Sequence, residues 1–132
     1  NGLFQVGILP KQGESTTLSY QRLFEETMHL YCGQAHALFA HARDPLEWKD
    51  LDHYRFAGLG YHSPNMALSL QRKIARAATA FDQEGIATLV LSGQFIGFLP
   101  NHYAHTFEQA GKMKPLNPQV LQYTCDFYSV VG

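Results

Sequence analysis

The chain is poor in charge and has no long apolar run. Only 16% of its 132 residues are charged and the formal net charge is −1, which argues against a basic face that would grip nucleic acid or an anionic membrane. No apolar stretch reaches the roughly 18 residues that a membrane span needs. There are two cysteines, Cys32 and Cys125. Both lie in apolar, strand-like segments, so two buried thiols in a reducing cytoplasm are expected and not a disulfide. Repeats and low-complexity tracts are missing. The first residues lack the basic start and small-residue cleavage site of a signal peptide. Instead Leu3–Leu9 reads as a strand that begins almost at once, which suggests a piece of a longer chain.

The common catalytic signatures are missing too. No Cys-x-x-Cys or His-Glu-x-x-His pattern occurs, and His102 and His105, three apart on one helix face, lack further ligands. No metal and no cofactor is therefore expected. No Gly-x-Ser-x-Gly elbow is present, and Pro64 stands close to where a dinucleotide-binding loop beginning at Gly58 and Gly60 would need its third glycine. Cys32 is mid-strand and predicted to be buried, where a thiol is inert. Composition and motif together argue against an enzyme.

What is present is core-forming material, 45% hydrophobic and 13% aromatic, enough for one domain. Residues 18–33 read as two strands, with a break at the acidic pair Glu25-Glu26. Asp44-Pro45-Leu46-Glu47 carries a helix-start signature for a short helix ending near Leu51. Tyr54–Leu59 is the next strand. Ser63-Pro64 repeats the start signature and opens a longer helix to about Arg76, with Met66, Leu70 and Ile74 on one face. Thr79–Phe81 is a brief strand. Asp82 caps a helix in which Ile86, Leu89 and Val90 recur at helical spacing, and Gly93 stops it. The run from Phe95 to Leu99 is a short strand closed by Pro100. Asn101 caps a further helix with Tyr103, Phe107 and Ala110 inward and Gly111 at its end. Lys112–Pro118 is a connector, and Leu121–Val131 alternates as a half-buried strand, with Leu121, Tyr123 and Cys125 on one face. Strands alternating with helices mean an α/β sheet domain.

Several of these pieces, in this order, resemble the effector-binding domain of LysR-type transcriptional regulators. Leu23-Phe24-Glu25-Glu26, then Leu30-Tyr31-Cys32-Gly33 and His36-Ala37-Leu38, are similar to the family's acidic turn, strand and His-Pro-Leu turn, with Ala37 in place of the usual proline. Glu47-Trp48-Lys49-Asp50-Leu51 resembles the short helix that follows. Leu89-Val90-Leu91-Ser92-Gly93 with Ile96-Gly97-Phe98-Leu99-Pro100 is similar to the late glycine-rich signature, with Gln94-Phe95 where a second glycine is common. The likeness runs from about Leu3 to Phe127.

The resemblance implies a periplasmic-binding-protein-like (type 2) α/β fold of two lobes joined by crossing strands. Residues 1–26 would be the last part of lobe I, residues 27–117 a mostly complete lobe II, and residues 118–132 the strand returning to lobe I. It implies a small-molecule effector held in the interlobe cleft, expected to be anionic. It also implies self-association as a dimer or tetramer, no membrane, and DNA contact only through an N-terminal domain absent from this chain.

Strand ends and helix starts are where ligands bind in such folds. Gly60, Tyr61, His62 and Ser63 form a strand-to-helix loop whose free N–H groups suit a carboxylate, at the place where the resembled family contacts effectors. Phe81 and Asp82, with Phe98 and Pro100, lie at adjacent strand ends, although Asp82 already suffices as a helix cap. Pro10 and Lys11 end the first strand, where Lys11 could pair with an anion. Two other readings stay open: a solute-binding protein of a transporter on the same lobe plan, and a small hydrolase or transferase.

Overall fold

The computed structural model describes the backbone at residues 3–7, 19–59 and 76–131, with side chains over 25–59 and 78–125. Seven strands of these segments form one mixed sheet. They are β1 (Leu3–Gly7), β2 (Ser19–Gly33), β3 (Phe56–Leu59), β4 (Arg76–Ala80), β5 (Ile96–Pro100), β6 (Met113–Pro115) and β7 (Gln122–Val131). Their order is β1-β7-β2-β5-β3-β4, with β6 on β2 beyond the end of β7. Two helices, α1 (Gln83–Leu91) and α2 (Asn101–Gln109), and two 3-10 turns, Phe39–His41 and Trp48–His53, complete the described elements.

The sheet is built around the long antiparallel pair β2–β7, in register from Ser19↔Val131 to His29↔Gln122. One end of this ribbon carries β1, paired with β7 from Gly7↔Asp126 outward. The other end carries β5, paired with β2 from Met28↔Pro100 inward. Beyond β5 lie β3 and β4, both parallel to it. Between the two ends, the rungs Glu26↔Cys125 and Thr27↔Thr124 have no third strand beside them among the described residues.

Parallel strands covered on both faces need apolar side chains in both directions, which is why Phe95–Leu99 reads as an unbroken apolar run. On β5 the side chains of Ile96 and Phe98 enter one core with Leu30, Cys32, Phe56 and Leu116, beneath the 3-10 turns. Leu99 enters the other with Tyr31, Ile86, Val90 and Met113, beneath α1 and α2. Burying each such side chain fully contributes about 1.5–3 kcal/mol relative to leaving it in water. Helix α1 sits so close to the sheet that a Cβ on Gly33 would lie 2.3 Å from the Val90 carbonyl oxygen. Asp82 caps α1 by accepting from the Gly85 N–H at 2.8 Å, and Gly93 ends it with φ of +82°.

Several expectations shift. The acidic pair does not break residues 18–33 into two strands: β2 is one strand, and its irregularity falls between Arg22 and Phe24. Glu25 is exposed and the Glu26 carboxylate bonds His102, so neither acid is stranded in an apolar layer. The short helix starts later than Asp44, whose carboxylate instead meets the His41 ring at 3.0 Å. Glu47 is the cap, in a reciprocal capping box with Asp50. Arg76 begins β4, not the end of a helix; the proposed helix from Ser63 otherwise lies outside the described residues. Pro100, not Asn101, occupies the cap of α2, and Ala104 is its buried alanine while Ala110 is exposed. The connector holds β6, because Met113 to Pro115 find the open edge of β2 from Tyr31 to Gly33. Cys32 and Cys125 are both buried, and neither is in a disulfide.

Candidate functional site

The three parallel strands end level with one another. Leu59 is in register with Ala80. The pairs Phe56↔Ile96 and Ala57↔Gly97 carry Leu59 forward to the level of Leu99. From this edge the chain leaves β4 as Phe81-Asp82 and leaves β5 directly into α2. Gly60, Tyr61, His62 and Ser63 follow β3 in sequence but lie outside the described residues, as do Pro10 and Lys11. The edge faces the two-rung stretch of the β2–β7 ribbon, since Met28 opposes both Pro100 and Tyr123. The far ends of that ribbon hold β1.

Of the described candidates, Phe81 is the open one: its side chain is 81% exposed at the end of β4. Asp82 lies beside it with extended backbone, one carboxylate oxygen engaged by the Gly85 N–H. Pro100 is buried between β5 and α2. Phe98 is 1% exposed. Its ring stacks on Trp48 at 5.9 Å and takes Tyr123 edge-on at 4.9 Å, so it shapes the edge from below and does not open to solvent. The structure thus brings Phe81, Asp82 and Pro100 to one sheet edge, with Phe98 as a support under it.

Glu26 was not among the sequence candidates. It occupies one of the two unflanked rungs, its side chain is 11% exposed, and it holds the ring of His102 in the first turn of α2. That contact ties the ribbon to the edge. The sequence signal was there, in an acid inside an apolar strand, but it reads equally as a strand break.

The remaining chemistry is quiet. Burial pushes the Cys32 thiol up to about 12, with Lys114 opposing weakly, so it is not a nucleophile. Tyr123 is raised well above its ordinary value by burial and stays protonated. Among the described residues no group of three or more His, Cys, Asp or Glu side chains is placed to hold a metal. No helix among them is long and apolar enough to cross a membrane.

The family described as "LysR substrate binding domain" matches residues 1–131. The HTH-type transcriptional activator BauR of Pseudomonas aeruginosa is 34% identical over 123 residues, which cover 93% of this chain and 40% of that protein. The regulatory domain of MetR, a LysR family regulator from Neisseria meningitidis, superposes with a TM-score of 0.71 at 17% identity, over 97% of this chain and 62% of that one. Full-length AphB, the Vibrio cholerae virulence activator, superposes at 0.69 with 14% identity, over all of this chain and 45% of that one. The chain therefore spans less than two thirds of each of these proteins. Its fold is that of their regulatory domains, the type 2 periplasmic-binding-protein-like α/β fold.

Proposed function

Because the chain belongs to the LysR substrate-binding-domain family, we propose that it is the sensing part of a cytoplasmic bacterial transcriptional regulator and not an enzyme. It binds a small metabolite in a cleft between two lobes. Residues 1–26 are then the end of lobe I, residues 27–117 lobe II, and residues 118–132 the returning strand. The observation that carries this reading is the level C-terminal edge of β3, β4 and β5 facing a two-rung ribbon. Ligands settle at such edges in open α/β sheets, and a two-stranded ribbon is the natural place for one lobe to turn against the other. A solute-binding protein shares the lobe plan, but the matched family is one of regulators.

Binding closes the lobes, and closure shifts the packing between associated copies, as a dimer or tetramer, so that DNA-binding domains elsewhere in the full-length protein sit differently on the operator. Tyr61, His62 and Ser63 after β3, Phe81 and Asp82 after β4, and Pro10 and Lys11 from the facing lobe form the pocket walls, over Phe98 and Pro100. Gly60, which precedes them in the sequence, belongs to the same proposed site.

The test is thermal stabilisation of the full-length protein across a panel of amino, hydroxy and dicarboxylic acids. One class is expected to raise the melting temperature without being consumed and to change operator binding. Tyr61→Ala and Ser63→Ala are each expected to lose that response. An unchanged response in both variants removes the β3 loop from the site, and detectable product overturns the sensor reading.

A further inference from the structure

The contact between Glu26 and His102 has a regular place in the sheet. The antiparallel rungs of β2 and β5 run from Tyr31↔Gly97 to Met28↔Pro100. They stop there because β5 passes directly into α2. Two residues further along each segment stand Glu26 and His102, whose side chains bond each other. His102 thus meets the residue it would oppose if β5 ran on, although its backbone has already turned into a helix.

The contact also falls where the ribbon is otherwise thinnest. On one side β1 joins at Asp126, which opposes both Gly7 and Glu25. On the other side β5 joins at Met28. The rungs Thr27↔Thr124 and Glu26↔Cys125 lie between them, and His102 reaches the one farther from β5. A single side-chain bond therefore spans the whole stretch that has no third strand among the described residues. Its two ends differ in exposure. The Glu26 side chain is 11% exposed and that of His102 is 65% exposed. A carboxylate held mostly out of water needs its partner, whereas the exposed ring can swing into solvent.

We propose that this pair is a brace across the hinge between the two lobes, an inference that rests on the two-lobe reading above. While the bond holds, α2 and the Glu26 rung move as one body and the ribbon does not bend between them. When His102 swings out, the two rungs keep only the β2–β7 pairing among the described strands, and lobe II can turn on them. The edge of β3, β4 and β5 is joined to α2 through Pro100, so the brace sets how readily that edge changes its angle to lobe I. His102 is a positioning residue, acting on the cleft through Glu26 and α2.

The test is amide hydrogen exchange on the full-length protein, with no metabolite added, over the segments that hold Glu26–Thr27 and Thr124–Cys125. His102→Ala is expected to raise exchange there by about fivefold or more and to leave Leu30–Cys32 unchanged. Glu26→Ala is expected to do the same, and the double variant to be no faster than either single one. Glu26→Gln, whose amide oxygen can still accept from the imidazole, is expected to stay close to the unsubstituted protein. Should Glu26→Ala fail to fold, His102→Ala and Glu26→Gln decide without it. An unchanged ribbon in His102→Ala overturns the brace. So does an equal rise at Leu30–Cys32, which means general loosening, and so do additive effects in the double variant. No metabolite enters these measurements, so a full-length protein that responds to no member of the acid panel would count against the sensor reading and not against the brace.

Discussion

At the scale of single residues, His36 shows what a local pattern is for. The ring is 9% exposed, packs 5.7 Å from Tyr54, and its Nδ1 accepts the Leu38 backbone N–H at 3.0 Å. That bond requires an unprotonated Nδ1, so the proton of the neutral ring is on Nε2. Burial lowers the His36 pKa below its ordinary 6.5. Between the lowered folded value and 6.5 the unfolded chain binds a proton that the folded chain does not, so this contribution is fully present above that range and is lost as pH falls through it. His29 adds to the effect with the same sign. The melting temperature is expected to drop on going from about pH 7.5 to about pH 5.5, and His36→Asn, whose Oδ1 can replace Nδ1 as acceptor, is expected to show a smaller drop. Equal drops would mean that His36 does not titrate on unfolding. Gly33 makes a steric point in the same way. A methyl group there meets the Val90 carbonyl oxygen at 2.3 Å, backbone against strand, with no flexible side chain to yield. Gly33→Ala is expected to cost about 1–3 kcal/mol in denaturant unfolding, and a neutral result would show that α1 can lift off the sheet freely.

At the scale of elements, the ribbon carries the mechanical prediction. Glu26–Thr27 and Thr124–Cys125 are paired only with each other among the described strands, whereas Leu30 and Tyr31 are held by β5 and lie between two buried cores. Amide exchange is expected to be faster at Glu26–Thr27 than at Leu30–Cys32, since local opening needs only one strand pair to part. Equal protection would argue for a stiff ribbon and against lobe rotation there. The elements that the sequence made legible were those with a local physical signature. They include α1, with its Asp82 cap and Gly93 stop, β5 as a doubly covered apolar run, and the alternation of β7. Misread elements depended on distant partners. Glu25-Glu26 resembles a break until His102 is known to receive one acid. Met113–Pro115 resembles a connector until the free edge of β2 is known. Asp44-Pro45 carries a helix-start pattern that the 3-10 turn uses only three residues later, through Glu47 and Asp50.

At the scale of the whole molecule, the order of short motifs pointed to the family although no one of them was specific, because spacing between motifs records the topology. The sheet edge was legible as well, since strand ends follow from strand boundaries. The contact between Glu26 on β2 and His102 on α2 was not, because only the folded sheet brings those two elements together. The central claim is that a metabolite binds at the C-terminal edge of β3, β4 and β5 and draws the lobes together. The most direct measurement is hydrogen exchange on the full-length protein with and without whichever panel metabolite stabilises it. The account predicts added protection at residues 60–65, at Phe81-Asp82, and at Glu26–Thr27 with Thr124–Cys125. Protection confined to other surfaces, with that edge and ribbon unchanged, would contradict it.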